Sequence, residues 1–212
     1  MEDVKPVGRI LLINGSPRGK GCTYTALDEM RRTFEEEGVE AVILDVPKDV
    51  VGCKACLYCK KHGRCIMDDE VNRVLEDIGD FDGMVLGSPV YFAGPSGQIC
   101  SFSDRLFYAG FGVMAGKLAA AVVSCRRGGA TAAFDRLNKY FTITNMNVVG
   151  SQYWNQVHGN TPEEVLQDVE GMQTMRILAR NMAWMIRSRR AAEEAGVEYP
   201  ELEQHIYTNF IR

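Results

Sequence analysis

The sequence has 212 residues, of which 46% are hydrophobic and 25% charged, as in a globular protein large enough for one well-buried domain. Its formal net charge is −4 and no long basic stripe occurs, so we expect neither nucleic acid nor an anionic membrane surface as a partner. Apolar runs fall short of the roughly 20 residues that span a bilayer, and we expect no signal peptide at the N-terminus.

Short apolar runs alternate along the chain with longer segments of helical periodicity. The apolar runs predict strands, and the periodic segments predict helices. The strands are predicted at 9–14, 39–45, 84–88, 118–124 and 147–154, and the helices at 24–37, 69–78, 96–108, 131–141 and 163–187. Continuous apolar strands separated by helices are typical of a parallel sheet covered by helices on both faces, so we predict an α/β fold.

Two segments interrupt this alternation. Residues 51–69 form an insertion rich in Cys, Lys and Gly, and residues 197–212 form an aromatic-bearing tail. Since no repeat, low-complexity tract or linker divides the chain, we predict a single domain over 1–212. The cysteine-rich insertion decorates this domain, and a C-terminal helix plus tail at 162–212 completes it.

The C-terminal segment carries more apolar surface than a small five-stranded fold obviously covers. One face of the last predicted helix is apolar, with Val165, Val169, Met172, Met175, Leu178, Met182 and Ile186. This surplus predicts a homodimer or homotetramer. The alternative is that the tail wraps its own domain.

The loop after the first strand carries the chemistry of a phosphate site. Its sequence from Gly15 to Thr23, GSPRGKGCT, lets several backbone N–H groups converge where a helix begins. Ser16 and Thr23 add hydroxyl groups, and Arg18 adds a guanidinium fork. The spacing fits neither the Walker A loop nor the dinucleotide fingerprint. The alternative is a plain strand-to-helix turn with Thr23 as the N-cap.

This loop resembles the phosphate loop of the NADPH-dependent FMN reductases and iron–sulfur flavoproteins, a group of flavodoxin-like proteins. Two later segments resemble the same group: GSPVYFAG at 87–94, after the third strand, and SCRRGG at 124–129, after the fourth. The resemblance covers roughly residues 8 to 155. It implies a flavodoxin-like three-layer sandwich whose five-stranded parallel sheet has the order 2-1-3-4-5, with FMN bound non-covalently.

The resemblance also implies which residues contact FMN. In the phosphate loop they are Ser16, Pro17, Arg18, Gly21, Cys22 and Thr23, and along the flavin edge they are Pro89, Val90, Tyr91 and Phe92. Near the pyrimidine end they are Ser124, Cys125, Arg126, Arg127 and Gly128, where an arginine would stabilise negative charge on the reduced flavin. The alternatives are that the aromatics pack inward and that both arginines are solvated.

Four of the seven cysteines cluster in the insertion, as Cys53-x2-Cys56-x2-Cys59-x5-Cys65. Seven is an odd number and the spacing does not suit a disulfide-stapled secreted domain, so we predict a reducing compartment, the cytoplasm. The first two intervals match those of bacterial ferredoxins, and the whole run resembles the [4Fe-4S] motif of iron–sulfur flavoproteins. Zinc, a redox disulfide and a motif without its cluster remain as alternatives.

These features lead to three hypotheses about function. The first is an oxidoreductase that moves electrons through FMN and a [4Fe-4S] cluster, between a ferredoxin-like donor and a small-molecule acceptor. The second is an NAD(P)H-dependent FMN, quinone or nitro-compound reductase without a cluster, in which a nicotinamide stacks on the flavin. The third, of another class, is a non-catalytic electron carrier or redox sensor. None of them assigns a catalytic side chain.

Overall fold

The computed structural model describes residues 6–211. Its strands are β1 (Arg9–Asn14), β2 (Glu40–Asp45), β3 (Gly83–Tyr91), β4 (Gly94–Pro95), β5 (Leu118–Cys125), β6 (Asn147–Val148) and β7 (Gln156–His158). Its α-helices are α1 (Cys22–Glu36), α2 (Tyr58–His62), α3 (Glu70–Asp77), α4 (Gly97–Ala109), α5 (Phe111–Met114), α6 (Ala130–Ile143), α7 (Pro162–Gln167) and α8 (Val169–Glu194), and a 3-10 turn spans Ile78–Asp80.

The sheet confirms the predicted strand order. Its parallel strands lie in the order β2-β1-β3-β5-β6, which is 2-1-3-4-5 when these five strands are counted along the chain. The short strand β4 folds back on β3 as an antiparallel hairpin. The fold is therefore the predicted flavodoxin-like α/β sheet.

Helices cover both faces of this sheet, which makes three layers. Successive strand residues point to opposite faces, so Leu11 and Ile13 pack with α4 and α6, whereas Ile10 and Leu12 pack with α1 and α8. All four side chains are buried. Strands that are covered on both sides need apolar residues at every position, and for this reason the continuous apolar runs correctly predicted a sheet with helices on both faces.

The last strand is interrupted, which corrects the prediction of one strand over 147–154. β6 begins opposite β5 with Leu118 beside Asn147, but β7 begins with Val123 beside Gln156, so four extra residues bulge out between them. Asn155 replaces the missing pairing. Its backbone oxygen accepts from the N–H of Val123 at 3.0 Å, and its buried side-chain amide donates to the carbonyl of Ala121 at 3.1 Å.

The single C-terminal helix predicted over 163–187 is also wrong, since α7 and α8 are separate. The break lies at Asp168, whose carboxylate caps α8 by accepting from the N–H of Gly171 at 3.0 Å and also accepts from the N–H of His158 at 2.7 Å. Val169, expected on the apolar face, is 74% exposed beside this break, whereas the other six predicted residues are buried.

Residues 195–211 form a tail without helix or strand. Near its start, Tyr199 lies against Gly116, but Ile206, Tyr207 and Phe210 farther on are exposed. The tail therefore does not wrap its own domain along its length. Among residues 6–211, no helix combines the length and apolar character needed to cross a bilayer.

Candidate functional site

The three predicted loops meet at one edge of the sheet. β1, β3 and β5 are neighbours, so their carboxyl ends lie side by side, where open α/β sheets bind ligands. A cavity of about 150 Å³ opens there. It is lined by Ser16, Arg18, Cys22, Thr23, Pro89, Val90, Tyr91, Ser124, Cys125, Arg126, Gly159 and Asn160. Ten of these twelve residues were predicted from the sequence.

Hydrogen bonds of Asn14, the last residue of β1, shape the candidate phosphate-binding loop from Gly15 to Thr23. Its side-chain amide donates to the carbonyl of Gly19 at 3.1 Å and to Oδ1 of Asp45 at 2.7 Å. Its side-chain oxygen accepts from the N–H of Ser16 at 3.2 Å. Gly19 has a φ of +60°, which a glycine adopts without strain. The loop is therefore held from within the protein, in advance of any ligand.

Helix α1 begins at this loop without a side-chain cap. Its N-cap residue is Gly21, and no side chain within residues 6–211 accepts from its first turn. The alternative reading of Thr23 as the cap is wrong, because Thr23 is buried inside the helix with its Oγ1 2.8 Å from Oγ of Ser124. The N–H groups of the first turn and the positive end of the helix dipole therefore face the cavity unpaired by side chains.

The second loop is a tight hairpin between β3 and β4. Pro89, Val90 and Tyr91 line the cavity, but Phe92 projects away from it and is fully exposed. Phe92 and Ala93 have φ values of +50° and +60°, the turn geometry that suits a right-twisted hairpin. The aromatics do not pack inward here, since Tyr91 is also 41% exposed.

The third loop brings Ser124, Cys125 and Arg126 to the cavity, while Arg127 and Gly128 lie outside its lining, as do Pro17 and Gly21 of the first loop. Arg126 and Arg127 are both exposed. Burial raises the pKa of the Cys125 thiol, and it raises that of Cys22 in the same way. Both thiols therefore stay protonated near neutral pH, which makes them poor nucleophiles.

Sequence reasoning missed two residues that line the cavity, Gly159 and Asn160. They follow β7, and the N–H of Gly159 donates to the carbonyl of Cys125 at 3.1 Å. The thiol of Cys22 donates to the carbonyl of Gly159 at 3.6 Å. No motif marks these residues. Residues that follow a strand of the sheet are candidates for the site, and this could have indicated Gly159 and Asn160. The prediction ended the last strand at 154, however, whereas β7 ends at His158.

The cysteine-rich insertion forms a second candidate site. Cys53, Cys56, Cys59 and Cys65 all line one pocket of about 20 Å³ between the insertion and α4. All seven cysteines of the described chain are free thiols. Burial raises the pKa of the Cys59 thiol, and the three neighbouring cysteines raise it further. Within residues 6–211, no three His, Cys, Asp or Glu side chains stand close enough together to hold a single metal ion.

Of the four cysteines, Cys65 is fixed most firmly. The buried side chain of Asn72 accepts from its backbone N–H at 2.8 Å and donates to its carbonyl at 3.0 Å. Nε of the buried Arg105 donates to its Sγ at 3.3 Å. Cys53 and Cys56, by contrast, are exposed. Neither Asn72 nor Arg105 was predicted as a site residue. Arg105 lies 36 or more residues from its partners, whereas Asn72 lies seven residues from Cys65, in a predicted helix where no motif marks it.

A larger cavity, about 610 Å³, lies at the opposite edge of the sheet. Residues just before β3 and β5, the end of α8 and the start of the tail line it, among them Asp82, Lys117, Arg190 and Tyr199. None of the predicted loops reaches it. The cavity of about 150 Å³ is therefore the better candidate for the flavin site, because it lies at the carboxyl ends of the strands and is lined by the predicted residues.

Comparison with known proteins places these features in a family. Residues 8–161 match the model of the NADPH-dependent FMN reductase family. The chain is 31% identical over 188 residues to an iron–sulfur flavoprotein of Methanocaldococcus jannaschii, covering 84% of this chain and 97% of that protein. It is also 31% identical over 192 residues to an iron–sulfur flavoprotein of Archaeoglobus fulgidus, covering 84% and 96%.

A solved structure supports the fold. The WrbA-like flavodoxin of Agrobacterium tumefaciens superimposes with a TM-score of 0.63 at 14% identity, covering 85% of this chain and 98% of that one. The strand order, the three loops at one sheet edge and the family match agree with one another. The chain belongs to the NADPH-dependent FMN reductase family, a group of flavodoxin-like flavoproteins.

Proposed function

We propose that this protein is an FMN-dependent oxidoreductase that also holds an iron–sulfur cluster at Cys53, Cys56, Cys59 and Cys65. Its family supports the FMN-binding oxidoreductase. The observation that carries the cluster is that all four cysteine side chains line one pocket. Four thiolates are the ligand set of [4Fe-4S] clusters, so the residues fit that group. The names of the iron–sulfur flavoproteins that the chain resembles support the same proposal.

The lining of the first cavity fits FMN. The uncapped first turn of α1, the hydroxyl of Ser16 and the guanidinium of Arg18 would bind the phosphate. Ordinary small-molecule pockets measure about 300–1,000 Å³, so in this smaller cavity a bound ring system would lie partly outside, beside Tyr91 and Arg126. When bound, FMN supplies both one-electron and two-electron chemistry, and the protein orients it.

The exposed edge of this cavity favours one alternative, an NAD(P)H-dependent FMN, quinone or nitro-compound reductase without a cluster. An open flavin face leaves room for a nicotinamide or a small acceptor to stack. Tyr91 is partly exposed at this edge, and the cationic Arg126 would face the anionic reduced ring. The two proposals share the flavin site and differ in whether the cysteines carry electrons. A non-catalytic carrier would share the site without turnover.

The electron donor separates these proposals. We expect reduced ferredoxin to reduce the protein if the cluster is present. If the protein is the reductase without a cluster, we expect NADPH or NADH to bleach the flavin absorbance at least as fast as the enzyme turns over. A carrier would accept electrons once and would not turn over a quinone or nitro compound.

Anaerobic purification followed by iron, zinc, sulfide and FMN assays tests the proposal directly. We expect about four irons and four sulfides per chain, as the cluster's composition requires. Cys56→Ala should lose iron and keep FMN. Cys100→Ala is the matched control, because Cys100 is a half-buried thiol outside the insertion, and it should keep both. Wild-type protein that contains FMN and turns over NADPH, but contains neither iron nor sulfide, would leave the plain reductase standing.

A further inference from the structure

Arg105, on α4, is the largest side chain that the fold buries completely, with 2% of its surface exposed. Burying an unpaired charge costs several kcal/mol, so a buried arginine needs strong partners. All five N–H donors of its guanidinium are used. They donate to Cys65 Sγ at 3.3 Å, Val51 O at 3.2 Å, Met67 O at 3.4 Å, and the two carboxylate oxygens of Asp69 at 2.7 Å each.

Four of these five bonds close the cysteine-rich insertion at its two ends. Val51 is its first residue, whereas Met67 and Asp69 lie at its other end. The two parallel bonds to Asp69 form a bidentate pair, the strongest geometry that an arginine makes with a carboxylate. The same carboxylate caps α3 through the N–H of Val71 at 3.2 Å. Arg105 therefore ties the insertion to α4 and α3.

The fifth bond, from Nε to Sγ of Cys65, has a different target. It ends on one of the four cysteine sulfurs rather than on a carbonyl or carboxylate oxygen. Asp69 lies on the Nη1 and Nη2 side of the guanidinium, so its negative charge is farther from that sulfur than the Nε–H dipole is. The sulfur of Cys65 therefore faces the positive side of an ion pair whose arginine is buried and whose carboxylate is partly exposed.

We propose that Arg105 is a positioning residue for the group held by the four cysteines, and that it makes this group easier to reduce. The inference rests on the proposed function, because it presupposes a cluster. Hydrogen bonds to ligand sulfurs and nearby net charge set the potentials of iron–sulfur clusters. A reduced cluster carries one more negative charge than an oxidised one, so a donor and a positive charge at Cys65 stabilise the reduced form more.

Arg105→Gln removes the charge and the guanidinium fork, and it leaves only a neutral amide N–H at the position of Nε. We expect it to lower the equilibrium constant for one-electron reduction of the cluster about tenfold, which is about 59 mV. Anaerobic redox titration, followed by the cluster's absorption and electron paramagnetic resonance, measures this shift. The FMN potential and content should stay at wild-type values, since the flavin loops lie on other strand ends.

Arg64→Gln is the matched control. It removes one positive charge from the same insertion, but Arg64 is exposed and pairs with Asp68 at 2.8 Å rather than with a sulfur. Solvent screens that charge, so its shift should be much smaller. An equal shift in both variants would overturn the inference, and so would a wild-type potential in Arg105→Gln with iron retained.

Arg105→Lys keeps the test decisive if the glutamine variant does not fold, because it retains the charge and loses the fork and Nε. We expect it to shift the reduction equilibrium in the same direction, by less. A lysine variant with lower thermal stability but an unchanged potential would assign Arg105 a purely structural role and overturn the inference. Iron-free wild-type protein would overturn the proposed function, and this inference with it. Iron-loaded wild type with an unshifted variant would overturn this inference alone.

Discussion

Arg18→Ala should weaken FMN binding and leave riboflavin binding almost unchanged. Arg18 lines the cavity beside the uncapped first turn of α1, where the phosphate would lie. Hydrogen bonds to charged groups contribute about 1.5–3 kcal/mol. Because Arg18 is exposed, solvent screens the pair, and we expect the lower end of that range. About 1.4 kcal/mol corresponds to a tenfold increase in Kd.

Fluorescence titration of the flavin-free protein with FMN and then with riboflavin measures both affinities. Lys20→Ala is the matched control, because Lys20 belongs to the same loop but lies over the ring of Tyr24, 5.8 Å from its centroid, and does not line the cavity. The effect of Arg18→Ala should also shrink at high salt. Equal losses for FMN and riboflavin, or equal losses in both variants, would refute the placement of the phosphate.

Three further outcomes are expected. Gly129→Ala should lower the free energy of unfolding by roughly 1–3 kcal/mol, because Gly129 has a φ of +87° and a Cβ there would lie 2.8 Å from Cα of Ala93; thermal unfolding measures this against Gly128→Ala, whose Cβ would meet no atom within 4 Å. Chelator treatment should expose the cysteine-rich insertion, so trypsin should cut at Lys60 and Lys61 sooner while FMN stays bound; an unchanged cleavage rate after iron loss would show that no metal orders the insertion. Light scattering should give a dimer or tetramer, because the tail and Trp184 on α8 leave apolar surface exposed; a mass of 23.6 kDa at micromolar concentration would contradict self-association.

The sequence was most informative where a signal is local. The apolar strands and the loop from Gly15 to Thr23 could be located because strand burial and phosphate-binding chemistry both depend on neighbouring residues. The break at Asp168 could not, since an acidic residue in a helical pattern is typical of a solvated face. Its second partner, the N–H of His158, comes from another element.

The same limit explains the missed residues of the two candidate sites. Arg105 lies between Phe102 and Leu106 on α4, and these apolar neighbours indicate a buried face. An arginine can be predicted as buried only if its partner of opposite charge is known. That partner, Asp69, is 36 residues away, and the sequence gives no sign of the pairing. Gly159 and Asn160 reach the cavity because the bulge before β7 shifts the register of the last strand, which depends on tertiary hydrogen bonds of Asn155.

Helix α4 contacts both candidate sites, one through each part of its length. At its start, Oγ of Ser96 donates to the carbonyl of Gly15, in the candidate phosphate-binding loop, at 2.6 Å. Nine residues later, Arg105 contacts the cysteine pocket. At about 1.5 Å per residue, these contacts are about 14 Å apart along the helix axis. Because electron tunnelling rates fall exponentially with distance, a stiff spacer of fixed length would also fix the rate of electron exchange between the two centres. A proline within α4 would kink the helix and so change that rate, even if both centres stayed loaded.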